Sequence, residues 1–303
     1  MTPSSPEQSR KIDRIKKGVA LLSVVSNTLL VIFKLIVGLS IGSVSVISEA
    51  IHSGVDLLAA IIALFAVSTA GKPADEEHPF GHGKVENISG AVEALLIFGA
   101  AAWIIYEAFK KLHELKPLDD VGWGVVVMLI SALANILVSR QLFRIGKATD
   151  SVALQADAWH LRTDVWTSGG VMLGLLIILV GRWLAPGVDL HWVDPVAAIA
   201  VALLIIRAAW DLTLQAGRDL LDASLPRHEE DQVREVINLN SPPVLSYHRL
   251  RTRKAGATRF IEFHLRVDPG MTVVESHQLS HKIIDEIRER FPDARLTIHT
   301  EPF

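Results

Sequence analysis

Asp157-Ala-Trp-His160-Leu-Arg-Thr-Asp164-Val-Trp-Thr-Ser-Gly-Gly170 opens the apolar run Val165–Leu184 and carries a histidine and an aspartate four residues apart. On a helix, positions i and i+4 lie one above the other on the same face. An imidazole beside a carboxylate at the start of a lipid-soluble segment is costly, and ionisable groups in such places are usually functional. The same order and spacing occur in Glu49-Ala-Ile-His52-Ser-Gly-Val-Asp56-Leu-Leu-Ala, again near the start of an apolar stretch. Two helices that each offer one nitrogen and one oxygen can close four ligands around one divalent cation.

Outward from these segments, apolar residues gather in six runs: Val19–Leu39, Val44–Thr69, Ile88–Phe109, Val121–Leu142, Val165–Leu184 and Val193–Leu212. Each is close to the roughly 20 residues a helix needs to cross a bilayer, so six transmembrane helices are expected. The whole chain of 303 residues is 50% hydrophobic, with formal net charge −3 and mean hydropathy +0.35. The N-terminus is polar before the first run, so no cleavable signal peptide is expected. Arg10, Lys11, Arg14, Lys16, Lys17, Lys72, Lys84, Arg140, Arg144 and Lys147 fall on one side of the predicted spans. Lys110, Lys111, Lys116 and Arg182, a smaller set, fall on the other. The positive-inside bias puts both termini in the cytoplasm of a multi-pass protein of the cell (inner) membrane. The expected division is a basic N-terminal arm (residues 1–17) lying on the anionic bilayer surface, a transport unit (18–217) and a cytoplasmic unit (218–303).

That last unit begins beyond Asp219-Leu-Leu-Asp222-Ala-Ser-Leu-Pro226 and alternates like a soluble domain. Its pattern predicts helix over 227–239, strands over 244–254 and 257–268, helix over 272–290 and strand over 294–301. The order αββαβ suggests a small α+β unit with a three-stranded sheet, of the ferredoxin-like or metallochaperone-like kind. On the second strand Ile261, Phe263, Leu265 and Val267 share one face, and Glu262, His264 and Arg266 the other. On the third, His299 and Glu301 point together, opposite Leu296 and Ile298. His248 is less clean, because it shares parity with Leu250.

The chain has no cysteine and twelve histidines, so any metal must be held by His, Asp and Glu. His52, Asp56, His160 and Asp164 form an N2O2 set suited to a tetrahedral ion, for which zinc is the natural first choice. The dull alternative is two unrelated hydrogen-bonded pairs, each satisfying itself. Two carboxylates in a low-dielectric site would carry a charge a divalent cation cancels, and protons would replace the ion when it leaves, since metal and proton compete for the same ligands. Such a site exchanges metal for protons. A second group, Asp75, His78 and His82, sits where Pro and Gly break the helix before span three; it is either a ligand set or solvated charge with histidines capping the helix. In the cytoplasmic unit, His264, His299 and Glu301 lie on polar strand faces, and His277 and His281 stand one turn apart on a helix.

No HExxH motif supplies the general base of a zinc hydrolase, so an enzyme is not expected. Gly146-Lys147-Ala148 lacks the hydroxyl and upstream glycine of a P-loop, so nucleotide-driven pumping is not expected; nucleic acid is not an expected partner either. A membrane metal sensor that binds without translocating stays open as an alternative.

Together the paired HxxxD motifs, His78-Pro-Phe-Gly-His82-Gly-Lys84-Val-Glu86, Arg251-Thr-Arg-Lys-Ala-Gly256 and Arg259-Phe-Ile-Glu-Phe-His264 resemble the cation diffusion facilitator family, in particular its bacterial zinc/iron efflux branch. The resemblance implies a homodimer that exports zinc, or Cd2+, Co2+, Fe2+ or Mn2+ by the same mechanism, against protons. Carried over by position, His52, Asp56, His160 and Asp164 would form the transport site, and Asp75, His78 and His82 a loop site. His248, His264, His277, His299 and Glu301 would form a two-metal site at the cytoplasmic dimer interface. Lys84 and Asp222 match an ion pair that fastens the membrane halves of the dimer. Two positions depart from the pattern. His52 stands where relatives of the iron/zinc branch often have Asp, which favours zinc over iron and manganese. Glu301 stands where Asp is usual, which puts in question whether it bridges two ions.

Overall fold

The structure, a computed structural model, describes residues 6–41, 44–113, 122–184 and 192–303. Six long helices come first: α1 (Pro6–Ile41), α2 (Val44–Ala70), α3 (Lys84–His113), α4 (Gly122–Ala148), α5 (Val152–Leu184) and α6 (Val193–Leu220). Helices α1 and α2 pack together, as do α3 with α6 and α4 with α5, while α5 also touches α2, α3 and α6. Their inner faces are built from small residues. Ala59, Ala63, Ala66, Ala94, Ala101, Ala156 and Ala209 are all essentially inaccessible, which lets backbones approach closely as helices in lipid do. Gly170 serves the same end, because a Cβ there would come within 2.6 Å of Val201 on α6.

The outer faces are apolar too. Leu21, Leu29, Ile36, Phe65, Leu95, Trp103, Leu133 and Leu203 are exposed; water would penalise so continuous an apolar surface, and lipid does not. This is a membrane protein. Five helices carry stretches long and apolar enough to span: Arg10–Ser40, Ala50–Ala70, Lys84–Lys110, Val126–Ala148 and Pro195–Leu220. The sixth expected span, Val165–Leu184, lies on α5, where most side chains beyond Gly170 are outside the described residues.

Part of the N-terminal arm expected over residues 1–17 is described. From Pro6 onward it is helical and continuous with the first span. At its inner end Lys16 is buried and donates to one oxygen of Glu86 on α3, while the other oxygen of Glu86 accepts from Ser151 Oγ at the start of α5. Deeper in α1, buried Lys34 donates to Ser53 of α2 at 2.8 Å.

The cytoplasmic unit follows the predicted order: α7 (Arg227–Leu239), β1 (Ser246–Ala255), β2 (Thr258–Val267), α8 (Val273–Arg290) and β3 (Arg295–Pro302). The strands lie in the order β1-β2-β3, with β1 antiparallel and β3 parallel to β2. A parallel neighbour requires a crossover, and α8 supplies it. Thr272 and Glu275 close a capping box at its start. The core takes Val233, Val236 and Ile237 from α7, Ile261, Phe263, Leu265 and Val267 from β2, and Leu279, Ile283 and Ile287 from α8. The last three recur every four residues, an apolar stripe of helical period laid on the apolar face of the sheet.

Candidate metal sites

Helices α2 and α5 run antiparallel, and this decides how the two HxxxD motifs meet. His160 Nε2 lies 3.1 Å from Asp56 Oδ1, and His52 Nε2 lies 3.9 Å from Asp164 Oδ1. Each histidine thus faces the aspartate of the other helix. The self-satisfied pairs within one helix are not what forms. Ligand atoms of His52, Asp56 and Asp164 all lie within 4.8 Å of one another, close enough to share an ion. His160 joins them through Asp56. Asp56 and His160 are buried at 4% exposure each, whereas the His52 side chain is 53% exposed, so the group has a dry side and an open side.

Sequence reasoning assigned no role to several residues around this group. Asn135, on α4, donates to Asp164 Oδ2 at 3.4 Å. Asp157 precedes His160 by three residues and Asp164 by seven, hence shares their face; it is fully buried, near Ser23 of α1 and Glu93 of α3. The available signals were helical spacing from His160 and Asp164 for Asp157, and a polar residue inside an apolar run for Asn135.

Asp75, His78 and His82 converge on the turn between α2 and α3, with all three ligand atoms within 4.8 Å. His78 Nδ1 and His82 Nε2 approach opposite oxygens of Asp75 at 3.2 and 3.3 Å. The imidazoles therefore face the carboxylate and do not cap α3. The backbone N–H of His78 donates to Asp75 at 2.7 Å and, with the two imidazoles, holds this carboxyl below the usual range, ready as an anionic ligand.

In the cytoplasmic unit His248, His264 and Glu301 form a third group within 4.8 Å. Glu301 lies 3.2 Å from His248 Nε2 and 3.5 Å from His264 Nδ1. The parity objection to His248 dissolves at a β-bulge: β1 pairs His248 with His264 and then Arg251 with Glu262, so one extra residue is accommodated between them. Arg249 takes φ +52° there. The bulge turns His248 to the polar face while Leu250 packs on the core. His299 stacks beside His264 with ring centroids 4.7 Å apart. Arg266 was not foreseen. Its donation to Glu301 at 3.1 Å is the main reason that carboxyl is held low, with His264 and His248 adding to it.

One member of the expected five-residue set stands apart from the other four within the single chain. Among the described residues His277 is not gathered with this group; it lies on α8 against His281, ring centroids 4.4 Å apart. The sheet's polar face and this exposed stretch of helix are different surfaces of one chain.

Residues 20–221 match the model of the cation efflux transmembrane domain, and residues 225–303 that of the cation efflux protein cytoplasmic domain. The chain belongs to the cation diffusion facilitator family. It is 34% identical over 292 residues to the cation-efflux pump FieF of Yersinia enterocolitica, covering 95% of this chain and 93% of that one. It is 38% identical over 261 residues to the uncharacterized transporter sll1263 of Synechocystis, covering 86% and 82%. Among solved structures, the metal-bound C-terminal domain of the CzcD transporter from Thermotoga maritima is 36% identical, covering 26% of this chain and 94% of that chain with TM-score 0.23. As a member of this family the chain is a cation efflux transporter with a dimerisation-type cytoplasmic domain.

The junction of the family's two domains is visible here. Lys84 Nζ and Asp222 Oδ1 pair at 2.9 Å within the single chain, and Arg253 adds a contact to Asp222 at 3.3 Å. Lys84 and Arg253 together keep the Asp222 carboxyl below its ordinary value, Lys84 contributing most. Gly83 lies against the β1–β2 turn so closely that a Cβ would stand 2.3 Å from Ala255 O.

Proposed function

We propose that the chain is a homodimeric secondary transporter that moves Zn2+ out of the cytoplasm in exchange for H+. The observation that carries this reading is the crossed pairing of His52 with Asp164 and His160 with Asp56. Two nitrogens and two carboxylate oxygens suit a tetrahedral divalent ion, and the two carboxylates cancel its charge in a low-dielectric setting. Protons compete for those same atoms, so loading one releases the other. His52 in place of an oxygen ligand favours zinc over iron and manganese, with cadmium and cobalt close behind.

The reading assigns the transport unit to residues 18–217, with all six long helices spanning the inner membrane and both termini in the cytoplasm. Rocking of α2 and α5 against their neighbours would expose the site alternately to either side. Asp75, His78 and His82 would bind a second ion at the cytoplasmic surface. His248, His264, His299 and Glu301 would hold regulatory metal, and a homodimer lets His277 of the partner subunit complete that set. Lys84 and Asp222 would fasten the membrane halves near this interface.

The test is reconstitution into liposomes with an interior zinc dye and an imposed pH gradient. Zinc flux should depend on the gradient and vanish in Asp164→Ala protein. Undiminished proton-coupled flux from that variant would end the proposal. Competition between zinc and iron in His52→Asp protein should shift toward iron, and an unchanged preference would remove the selectivity assignment.

A further inference from the structure

The imidazole of His160 has two nitrogens, and the crossed pairing accounts for only one of them. Nε2 faces Asp56 at 3.1 Å, while Nδ1 is buried with no hydrogen-bond partner among the described residues. Ser23 Oγ and Asn27 Nδ2 of α1, Glu93 Oε2 of α3 and both carboxylate oxygens of Asp157 are buried and without a partner too. Exposure is 0% for Ser23, Glu93 and Asp157, 2% for Asn27 and 4% for His160. Buried polar atoms are almost always bonded, so a group of orphans in one place needs a reason.

Their placement supplies it. Asp157 comes just under one turn before His160 on α5, about 4.5 Å along the axis. Helical side chains lean toward the N-terminus, so the His160 ring lies over the turn that holds Asp157. Across the bundle Asp157 faces Ser23 and Glu93 without closing a bond to either. Asn27 stands one turn beyond Ser23 on the same face of α1. Glu93 is anchored by its other oxygen, which accepts from Ser89 Oγ at 3.1 Å. Ala94 and Ala156, the chain neighbours of Glu93 and Asp157, pack with Ile205, Ala209 and Leu212 of α6, which is apolar there.

Donors and acceptors in this group match. The Ser23 hydroxyl, the Asn27 amide and a proton on His160 Nδ1 are donors, and Asp157 and Glu93 supply acceptors. A buried water needs about 2–4 such partners, and polar atoms just beyond bonding distance are where bridging waters sit. An imidazole that gives its Nε2 lone pair to a metal carries its proton on Nδ1, and the acceptor of that N–H fixes both ring and tautomer. The same proton on Nε2 would go to Asp56 instead. Asp56 and Asp157 thus draw one proton toward opposite nitrogens.

We propose that Asp157 is a positioning residue for His160. Through water held by Ser23, Asn27 and Glu93 it accepts the hydrogen bond from Nδ1 and keeps Nε2 free for the ion. This rests on the transport reading above.

Zinc binding would be measured by equilibrium dialysis of the full-length protein, with Asp75→Ala and Glu301→Ala silencing the other two groups. Loss of a bound ion on Asp164→Ala marks the membrane group. Removing the partner of a ligating histidine costs about 10–100-fold in metal affinity. Asp157→Leu, similar in shape but without an acceptor, is expected to weaken binding at least about ten-fold. It should not lower thermal stability, since an apolar side chain replaces a buried carboxyl. Asp157→Asn keeps an acceptor oxygen and should restore most of the affinity. In liposomes Asp157→Leu should raise the KM for zinc at least about ten-fold and slow saturated flux far less. A carboxyl that only plugs the bundle would do the reverse, lowering the thermal midpoint with affinity and KM unchanged. That result, or Asp157→Asn as weak as Asp157→Leu, overturns the proposal. A parent that binds no Asp164-dependent zinc would instead strike at the transport reading beneath it.

Discussion

Replacing Glu86 by glutamine is the perturbation whose size follows most directly from the structure. Glu86 is 1% exposed; Lys16, its partner, is 6% exposed, and Ser151 Oγ donates to the second oxygen. The amide still accepts from Ser151 but leaves a buried ammonium without its countercharge. Removing one member of a buried pair costs about 3–5 kcal/mol. Lys16 stands near the polar end of α1, and its long stem can swing the charge toward water, so the low end, about 3 kcal/mol, applies. For large domains about 1 kcal/mol moves the midpoint roughly 2–4 °C, which gives a drop of about 6–12 °C. The assay is loss of monodisperse protein on heating in one detergent at one scan rate, because such unfolding is irreversible and rate-dependent. Glu86→Gln with Lys16→Met removes both charges and should recover most of the loss. A drop under about 2 °C, or a double variant as fragile as the single one, would refute the reasoning that links α1, α3 and α5 through this pair.

Asn135→Ala should weaken zinc binding at the membrane group about ten-fold, the low end for groups that orient a ligand, since its contact with Asp164 is long at 3.4 Å; equilibrium dialysis of the purified protein measures it. Gly83→Val drives a side chain into the Ala255 carbonyl, so the α2–α3 turn must part from the β1–β2 hairpin and protease cleavage near Pro226 should quicken. Glu301 is held low by Arg266, so its carboxylate keeps its charge as pH falls through the usual carboxylate range and loses it only below. Protonation of Glu301 should therefore not release metal from this group within the usual carboxylate range. Arg266→Ala lets the Glu301 carboxyl rise toward its ordinary value, and zinc titrations at about pH 5 should then show a further loss that the parent lacks.

The repeated His-xxx-Asp spacing, the apolar runs and the alternation of β2 were legible in the chain as written, because helical and strand periods are local and repeat within a few residues. They determined which side chains share a face, that most of the chain is built for lipid, and that ligands must be nitrogen and oxygen. What the linear order could not decide was who meets whom. The crossing of His52 with Asp164 and His160 with Asp56 follows from the antiparallel approach of α2 and α5, a long-range fact. The turning of His248 toward Glu301 depends on one extra residue in β1, which parity alone hides. Lys16 of the N-terminal arm finds its partner seventy positions away in Glu86. His277 stayed apart because nearness in a residue list says nothing about which surface of a packed domain a side chain reaches. Local periodicity sets the face a residue occupies, and only the packing of distant segments sets the atoms that face touches.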